Sequence, residues 1–329
     1  MVTVIIPTYK RANSIDKAIE SVLNQSYKDF EIIVVDDNNE DTIYRTDMIK
    51  IMQKYSDNEK IKYIKHSKNK DGAAARNTGI REANGEYITF LDDDDYFMPD
   101  RLKILVNTLE KEKEFNGAYT ATILVKKGKI VGGSNAKKSG NLKKDLLLNQ
   151  FSFGTGSNMF FRANALKNIN GFDEEFIRHQ DIECMIRFFR KNKIIGIDQP
   201  LVIKGQNDRK NEPDFYKYRE IKKVYFEKFK EDVLELNEND QNAFYRTNIE
   251  ALISLAIKNK RYKEIKLLKK ELKKYSQSNE ILSKNKIKNV INFINNYIPI
   301  IFIEEEIKRI IFSKNINKET KKFIIKNVK

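Results

Sequence analysis

Residues 87–95 read Tyr-Ile-Thr-Phe-Leu-Asp-Asp-Asp-Asp, an apolar, β-prone run that stops abruptly at four consecutive aspartates. Adjacent carboxylates repel one another, and placing them at the end of a core strand requires compensating positive charge. A divalent cation supplies that charge most simply. Mg²⁺ and Mn²⁺ prefer carboxylate oxygens, and an ion with few protein ligands completes its shell with substrate phosphates. The competing reading is a solvated acidic turn, since surface charges are commonly unpaired and of little consequence.

Two earlier apolar runs end in the same way. Residues 2–6 close on Pro7 and the loop Thr8-Tyr9-Lys10-Arg11, and residues 30–35 run straight into Asp36 and Asp37. Between them Ile15, Ala18, Ile19, Val22 and Leu23 recur at helical spacing behind Asn13 or Ser14 as the expected cap. Strand, helix, strand predicts an α/β fold with a mostly parallel sheet, whose ligands bind beyond the carboxyl ends of the strands. A helix over 42–55, a strand over 61–65 and a small-residue segment over 69–79 follow. That segment opens a helix ended by Gly85, and its small side chains with Arg76 suit close approach to a phosphate, or equally tight packing of the helix on the sheet.

Further on, the pattern predicts a helix from Pro99 to about 113, a hairpin of 119–125 and 129–132 around Lys127-Gly128, and a Gly-rich stretch at 153–157. A strand over 158–162, an amphipathic helix over 181–191 with Asp181 capping its start, and short strands at 194–197 and 200–203 complete a first domain, residues 1–205. Residues 206–329 form a basic helical region, with helices expected at 215–236, 240–259, 261–275, 284–296, 301–312 and 319–328.

Charge is uneven. Of the net +15, residues 251–329 carry 20 Lys and Arg against 7 Asp and Glu, which leaves +2 for the rest. Such a tail points to an anionic partner, a membrane surface or a polyanion, although the chain is rich in Lys, Ile and Asn throughout. Cys184 is the only cysteine, which excludes a disulfide framework and a cysteine metal site. The apolar run at 297–303 is too short to span a bilayer, and residues 1–6 lack the basic start of a signal peptide, so the expected location is cytoplasmic.

Taken together, these motifs resemble the family 2 glycosyltransferases of the GT-A fold. The resemblance covers roughly residues 1–205 and rests on ordered segments: Val4-Ile5-Ile6-Pro7-Thr8-Tyr9, residues 21–27 and 31–37, Ala75-Arg76-Asn77-Thr78-Gly79, the acidic DXD segment at 90–95, Gly171-Phe172-Asp173-Glu174 and Gln180-Asp181-Ile182-Glu183. It implies that Pro7, Thr8, Tyr9 and Arg11 line a nucleotide pocket, with Asp36 on the base, commonly uracil, and Arg76 near base or diphosphate. Asp94 would meet a Mn²⁺ or Mg²⁺ ion, Asp92 the metal or ribose, and Asp181 would be the general base. Two departures stand out: Asp71 where the family often has Gly, and Asp93 in place of the usual small residue, which leaves roles for Asp93 in nucleotide binding and for Asp95 open. His179 is placed to touch acceptor or diphosphate, whereas His66 reads as a loop residue.

The implied activity is metal-dependent, inverting transfer of a sugar from a nucleotide diphosphate, expected to be UDP, to a glycan or lipid-linked hydroxyl in bacterial surface polysaccharide synthesis. The basic tail would then anchor the protein peripherally on the inner face of the membrane. A nucleotidyltransferase of similar fold is the alternative among enzymes. A non-enzymatic polyanion-binding protein would use the tail but leaves Asp92–Asp95 unexplained, and no nucleic acid partner is expected.

Overall fold

In the computed structural model, which describes residues 1–126, 128–205 and 214–275, the apolar runs that end in polar residues lie side by side in one sheet. β1 (Val2–Thr8) pairs in parallel with β2 (Phe30–Asp36), and β2 with β3 (Ile61–Lys65). β4 (Tyr87–Phe90) pairs in parallel with the other side of β1. α1 (Ala12–Leu23), α2 (Ile43–Met52) and α3 (Asp71–Glu82) make the crossovers. Val4, Ile5, Ile6 and Ile32 to Val35 are fully buried, as a parallel strand covered on both faces requires.

The predicted end of β1 at Ile6 needs correction, since the strand passes through Pro7 to Thr8. β4 reaches only as far as Ile5 along β1, so the missing amide of Pro7 falls where no neighbour needs it. Nor do Asn13 or Ser14 cap α1. The helix begins behind Arg11, whose carbonyl accepts from the Ser14 hydroxyl (3.3 Å). α3 ends at Glu82 rather than at Gly85. A Cβ on Gly79 would lie 2.4 Å from Cγ2 of Ile5, so α3 packs directly on β1 and its small residues are required for that contact.

β5 (Tyr96–Phe97), which the sequence pattern does not reveal, follows the acidic run, and α4 (Arg101–Lys111) begins two residues after Pro99. Gln25 clamps this region. Its amide donates to the carbonyls of Ser21 and Met98 and accepts from the Leu102 amide. β6 (Gly117–Lys126) and β7 (Lys129–Ser134) form the expected hairpin, with Lys127 outside the described residues.

α5 (Lys143–Leu147), β8 (Phe160–Arg162), α6 (Ala163–Lys167), α7 (Gln180–Phe189) and β9 (Ile194–Gly205) follow. The two short strands expected after α7 are one. β9 runs parallel to β6 with its register interrupted between Ile197 and Pro200, where Asp198 and Gln199 bulge out. The order across the mixed sheet is β3-β2-β1-β4-β8-β6-β9-β5, with β7 beside β6. This is a mixed α/β fold with a mostly parallel half, followed by a helical C-terminal region.

The described residues form two compact units: residues 1–143 with 153–205, and residues 144–152 with 214–275. In the second, α8 (Phe215–Lys228), α9 (Lys230–Leu234), α10 (Glu238–Lys258) and α11 (Tyr262–Leu272) enclose Phe215, Ile249, Leu252, Ile253, Ala256 and Leu268. The single helix expected over 215–236 divides at the fully buried Phe229, whose ring meets Tyr225 at 4.9 Å. α10 and α11 form the expected helical hairpin. The helices expected at 284–296, 301–312 and 319–328 lie outside the described residues.

Candidate active site

Beyond Phe90 the chain turns at once, the Asp95 amide donating to the Asp92 carbonyl (3.0 Å). The turn sorts the four acids by alternation. Asp93 and Asp95 are 4% and 2% exposed, whereas the side chains of Asp92 and Asp94 keep 30% and 16% of their surface. Asp93 is bound by the Thr8 hydroxyl (2.7 Å) and by Arg11 Nη1 (3.0 Å), and burial pushes its carboxyl up to about 6 despite Arg11. Asp95 accepts from Ser157 Oγ (2.6 Å), Thr155 Oγ1 (3.0 Å) and the Gly205 amide (3.0 Å). Burial, reinforced by Asp92 and Asp94, pushes it up to about 8.

The open pair faces arginines. Asp92 meets Arg76 Nη2 at 2.7 Å, and its amide donates to Ser157 Oγ (2.9 Å). Asp94 meets Arg11 Nη1 at 2.8 Å, and burial raises its carboxyl while Arg11 opposes the shift. Ser157 thus ties the backbone of Asp92 to the carboxylate of Asp95. Its own carbonyl accepts from Arg101 (3.2 Å), a fully buried guanidinium that burial lowers to about 9.

Arg76 is carried by the second turn of α3. Asp71 opens that helix in the left-handed region (φ 70°), which a short polar side chain tolerates, so the departure from glycine leaves the loop intact. Gly72 keeps the neighbouring space free, since a Cβ there would stand 3.0 Å from Arg76 Nη1 and 3.3 Å from Gln180 Oε1. Arg76 also reaches Gln180 (3.4 Å) and lies over the Phe172 ring.

Asp181 does not cap α7. His179 occupies that position in the left-handed region (φ 60°), and Asp181 sits inside the first turn, its Oδ1 accepting from the Ile182 amide (2.9 Å). Burial raises its carboxyl, opposed by Arg76 and Lys204 and supported by Asp92. Asp181 thus lies within electrostatic range of Arg76, Asp92 and Lys204, and its neighbour Gln180 accepts from Arg76 (3.4 Å).

The other expected residues lie around the ends of β1 and β2. Tyr9 is 38% exposed, with the Lys10 ammonium 4.8 Å from its ring centre, and Pro7 is half-buried in β1. Asp36 is fully buried, and both of its oxygens are engaged: Oδ1 by the amide and side chain of Asn38 (2.9 and 2.7 Å), Oδ2 by Tyr63 (2.5 Å) and Arg45 (3.1 Å). His66 is not a surface loop residue but is buried between Asp37 (2.7 Å) and Thr78 (2.9 Å). Thr155, Ser157, Lys204 and Gly205 were not legible as site residues. They carry no motif of their own and acquire a role only because β9 and the 153–157 loop return to the acidic turn.

The donor set suits a hard divalent cation. Asp92 repels Asp94, and both keep part of their carboxylate surface exposed beside Arg76 and Arg11. Among the described residues no group of three or more His, Cys, Asp or Glu side chains is arranged to hold a metal. An ion on Asp92 and Asp94 would therefore draw the rest of its shell from water and substrate phosphate, as Mg²⁺ commonly does.

An uncharacterized glycosyltransferase of Rickettsia felis is 36% identical over 205 residues, 61% of this chain and 32% of that one, so the chain spans about a third of the length of this relative. A Campylobacter jejuni protein named GalNAc(5)-diNAcBac-PP-undecaprenol beta-1,3-glucosyltransferase is 36% identical over 180 residues, 53% of this chain and 55% of that one. An Escherichia coli protein named UDP-Glc:alpha-D-GlcNAc-diphosphoundecaprenol beta-1,3-glucosyltransferase is 26% identical over 225 residues, covering 68% and 84%. The crystal structure of S. aureus TarS 1-349 in complex with UDP-GlcNAc shares the fold, with a TM-score of 0.59 at 16% identity over 86% of this chain and 94% of that one. The model of Glycosyl transferase family 2 matches residues 3–169, half of the sequence and the whole run from β1 to α6. By that match the chain belongs to glycosyl transferase family 2.

Proposed function

We propose that the protein transfers a sugar from a UDP-sugar to a hydroxyl of a lipid-linked glycan, with inversion at the anomeric carbon, in bacterial surface polysaccharide synthesis. The observation that carries this reading is the sorted acidic turn: two carboxylates bound inward and two left open beside arginines, with Asp181 on the adjoining helix. The names of the E. coli and C. jejuni relatives and the nucleotide sugar in the TarS complex support the choice of donor and acceptor class.

Asp92 and Asp94 would hold a Mn²⁺ or Mg²⁺ ion, which supplies neutralisation of the departing diphosphate. Arg11 and Arg76, already paired with those acids, hold them in place and keep the turn electrostatically balanced. Asp181 takes the proton of the acceptor hydroxyl as its oxygen bonds to the anomeric carbon and the bond from that carbon to the phosphate oxygen breaks. A carboxylate raised by burial is a stronger base than an exposed one. No covalent enzyme intermediate is needed. Thr8 and Arg11 line the nucleotide side, and Asp93 acts there by orienting both.

Membrane attachment belongs to the same reading. On α11 and the turn after it, Lys263, Lys266, Lys269, Lys270, Lys273 and Lys274 are exposed together with Tyr262 and Leu267. Such a face fits an anionic lipid surface. No described helix is long and apolar enough to cross a membrane.

One reconstitution checks donor, acceptor and surface. The purified chain is incubated with a panel of UDP-sugars and a polyprenyl-diphosphate-linked N-acetylhexosamine, in phosphatidylglycerol or phosphatidylcholine vesicles, with Mn²⁺ or EDTA. The expected product carries one added sugar of inverted configuration, forms only with Mn²⁺, and the protein sediments with the anionic vesicles alone. Retained configuration, or a nucleotide on the product, would contradict the transferase chemistry; equal sedimentation with both lipids would remove the surface.

A further inference from the structure

Lys204 stands one residue before the end of β9, at the point where that strand closes onto the acidic turn. Its position is rigidly set. The next residue, Gly205, donates its amide to Asp95 Oδ1 (3.0 Å), and a Cβ on Gly205 would fall 2.3 Å from the Asp94 carbonyl oxygen, so only glycine lets the strand approach this closely. The half-buried Lys204 ammonium donates to the Gly154 carbonyl (3.0 Å), its one hydrogen-bond partner among the described residues. An ammonium has three donors, so two are unused among the described residues.

Three carboxylates lie within its electrostatic reach, Asp94, Asp95 and Asp181, yet among the described residues it forms no ion pair with any of them. Each is otherwise engaged: Asp94 by Arg11, Asp95 by Ser157, Thr155 and Gly205, and Asp181 by the Ile182 amide. A partly desolvated cation within electrostatic range of Asp94 and Asp181 suits a ligand that brings its own negative oxygens.

We propose that Lys204 is a substrate-binding residue that takes an oxygen of the sugar-proximal phosphate of the nucleoside diphosphate donor. The inference rests on the donor reading above and adds to it the residue that grips the leaving group on the side facing Asp181. Lys204 thereby stabilises the charge that grows on that phosphate as the sugar departs. Neither residue type nor spacing marks it in the sequence, because β9 reaches the acidic turn only through tertiary pairing.

The test is calorimetric titration of the full chain with UDP and with UMP in Mn²⁺ buffer, for the wild type, Lys204→Met and Lys204→Arg. The expected result is a loss of about ten- to a hundredfold in UDP affinity for Lys204→Met, the size of a charged hydrogen bond, with UMP affinity nearly unchanged and UDP affinity largely recovered in Lys204→Arg. Equal losses for UDP and UMP would mean that Lys204 only tethers the Gly154 loop, and would overturn the proposal, as would undiminished UDP binding. A wild type that binds neither nucleotide would instead overturn the donor reading, and Lys204's role with it.

Discussion

Asp181→Asn is expected to lower turnover by about a thousandfold while donor affinity stays within about twofold, because a positioned general base contributes roughly 10²–10⁴ in rate and acts only as the acceptor proton leaves. The substitution keeps the shape of the side chain, and its oxygen still accepts from the Ile182 amide, so α7 remains as it is. What is lost is the site for the proton. Steady-state kinetics with nucleotide titration checks this: a low turnover with intact UDP binding is the expected pair, and near-normal turnover would remove Asp181 from the reaction. The pH dependence carries the same signature. Burial raises the Asp181 carboxyl above its ordinary value, so the wild-type kcat/KM falls as pH drops through that raised pKa, where the base becomes protonated. The limb should vanish from the residual activity of Asp181→Asn.

Asp94→Asn is expected to cost at least about a hundredfold in kcat/KM and to weaken Mn²⁺ activation, since a bound metal accounts for several kcal/mol of charge stabilisation and an amide is a poor substitute for a carboxylate ligand. The Asp94 side chain keeps 16% of its surface exposed, and it shares Arg11 with Asp93. Asp93→Asn provides the contrast. That residue is buried against Thr8 and Arg11, so its loss registers first as a lower melting temperature. Manganese titrations of activity, with thermal melts of both variants, separate the two: Asp94→Asn needs more metal at an unchanged melting temperature. An unchanged metal requirement would place the ion elsewhere.

Much of this arrangement was legible because it is written locally. The apolar runs of β1, β2 and β4 are continuous and end in polar residues, and the strand-end rule for α/β sheets then brings Thr8, Arg11 and the acidic turn together. Arg76 follows from its place in α3. What stayed hidden depends on residues far apart in sequence. Ser157 and Gly205 reach Asp95 across 62 and 110 positions, and neither has a periodicity or motif to announce it. Alternation through a tight turn, not composition, separates Asp92 and Asp94 from Asp93 and Asp95. The bonds that Arg45 and Tyr63 make to Asp36 could not be read from the sequence either, since Tyr63 comes from a neighbouring strand. β5, with two residues, is too short to leave a pattern.

In the proposed reaction the turn after β4 is divided into two acids that serve the fold and two that serve the donor. A crystal structure of the chain with UDP and Mn²⁺ tests it most directly. The expected result is the ion on Asp94 and Asp92 with diphosphate oxygens completing its shell, while Asp93 stays bound to Thr8 and Arg11 and Asp95 to Ser157, Thr155 and Gly205. An ion ligated by Asp93 or Asp95, or a nucleotide bound away from this turn, would contradict it.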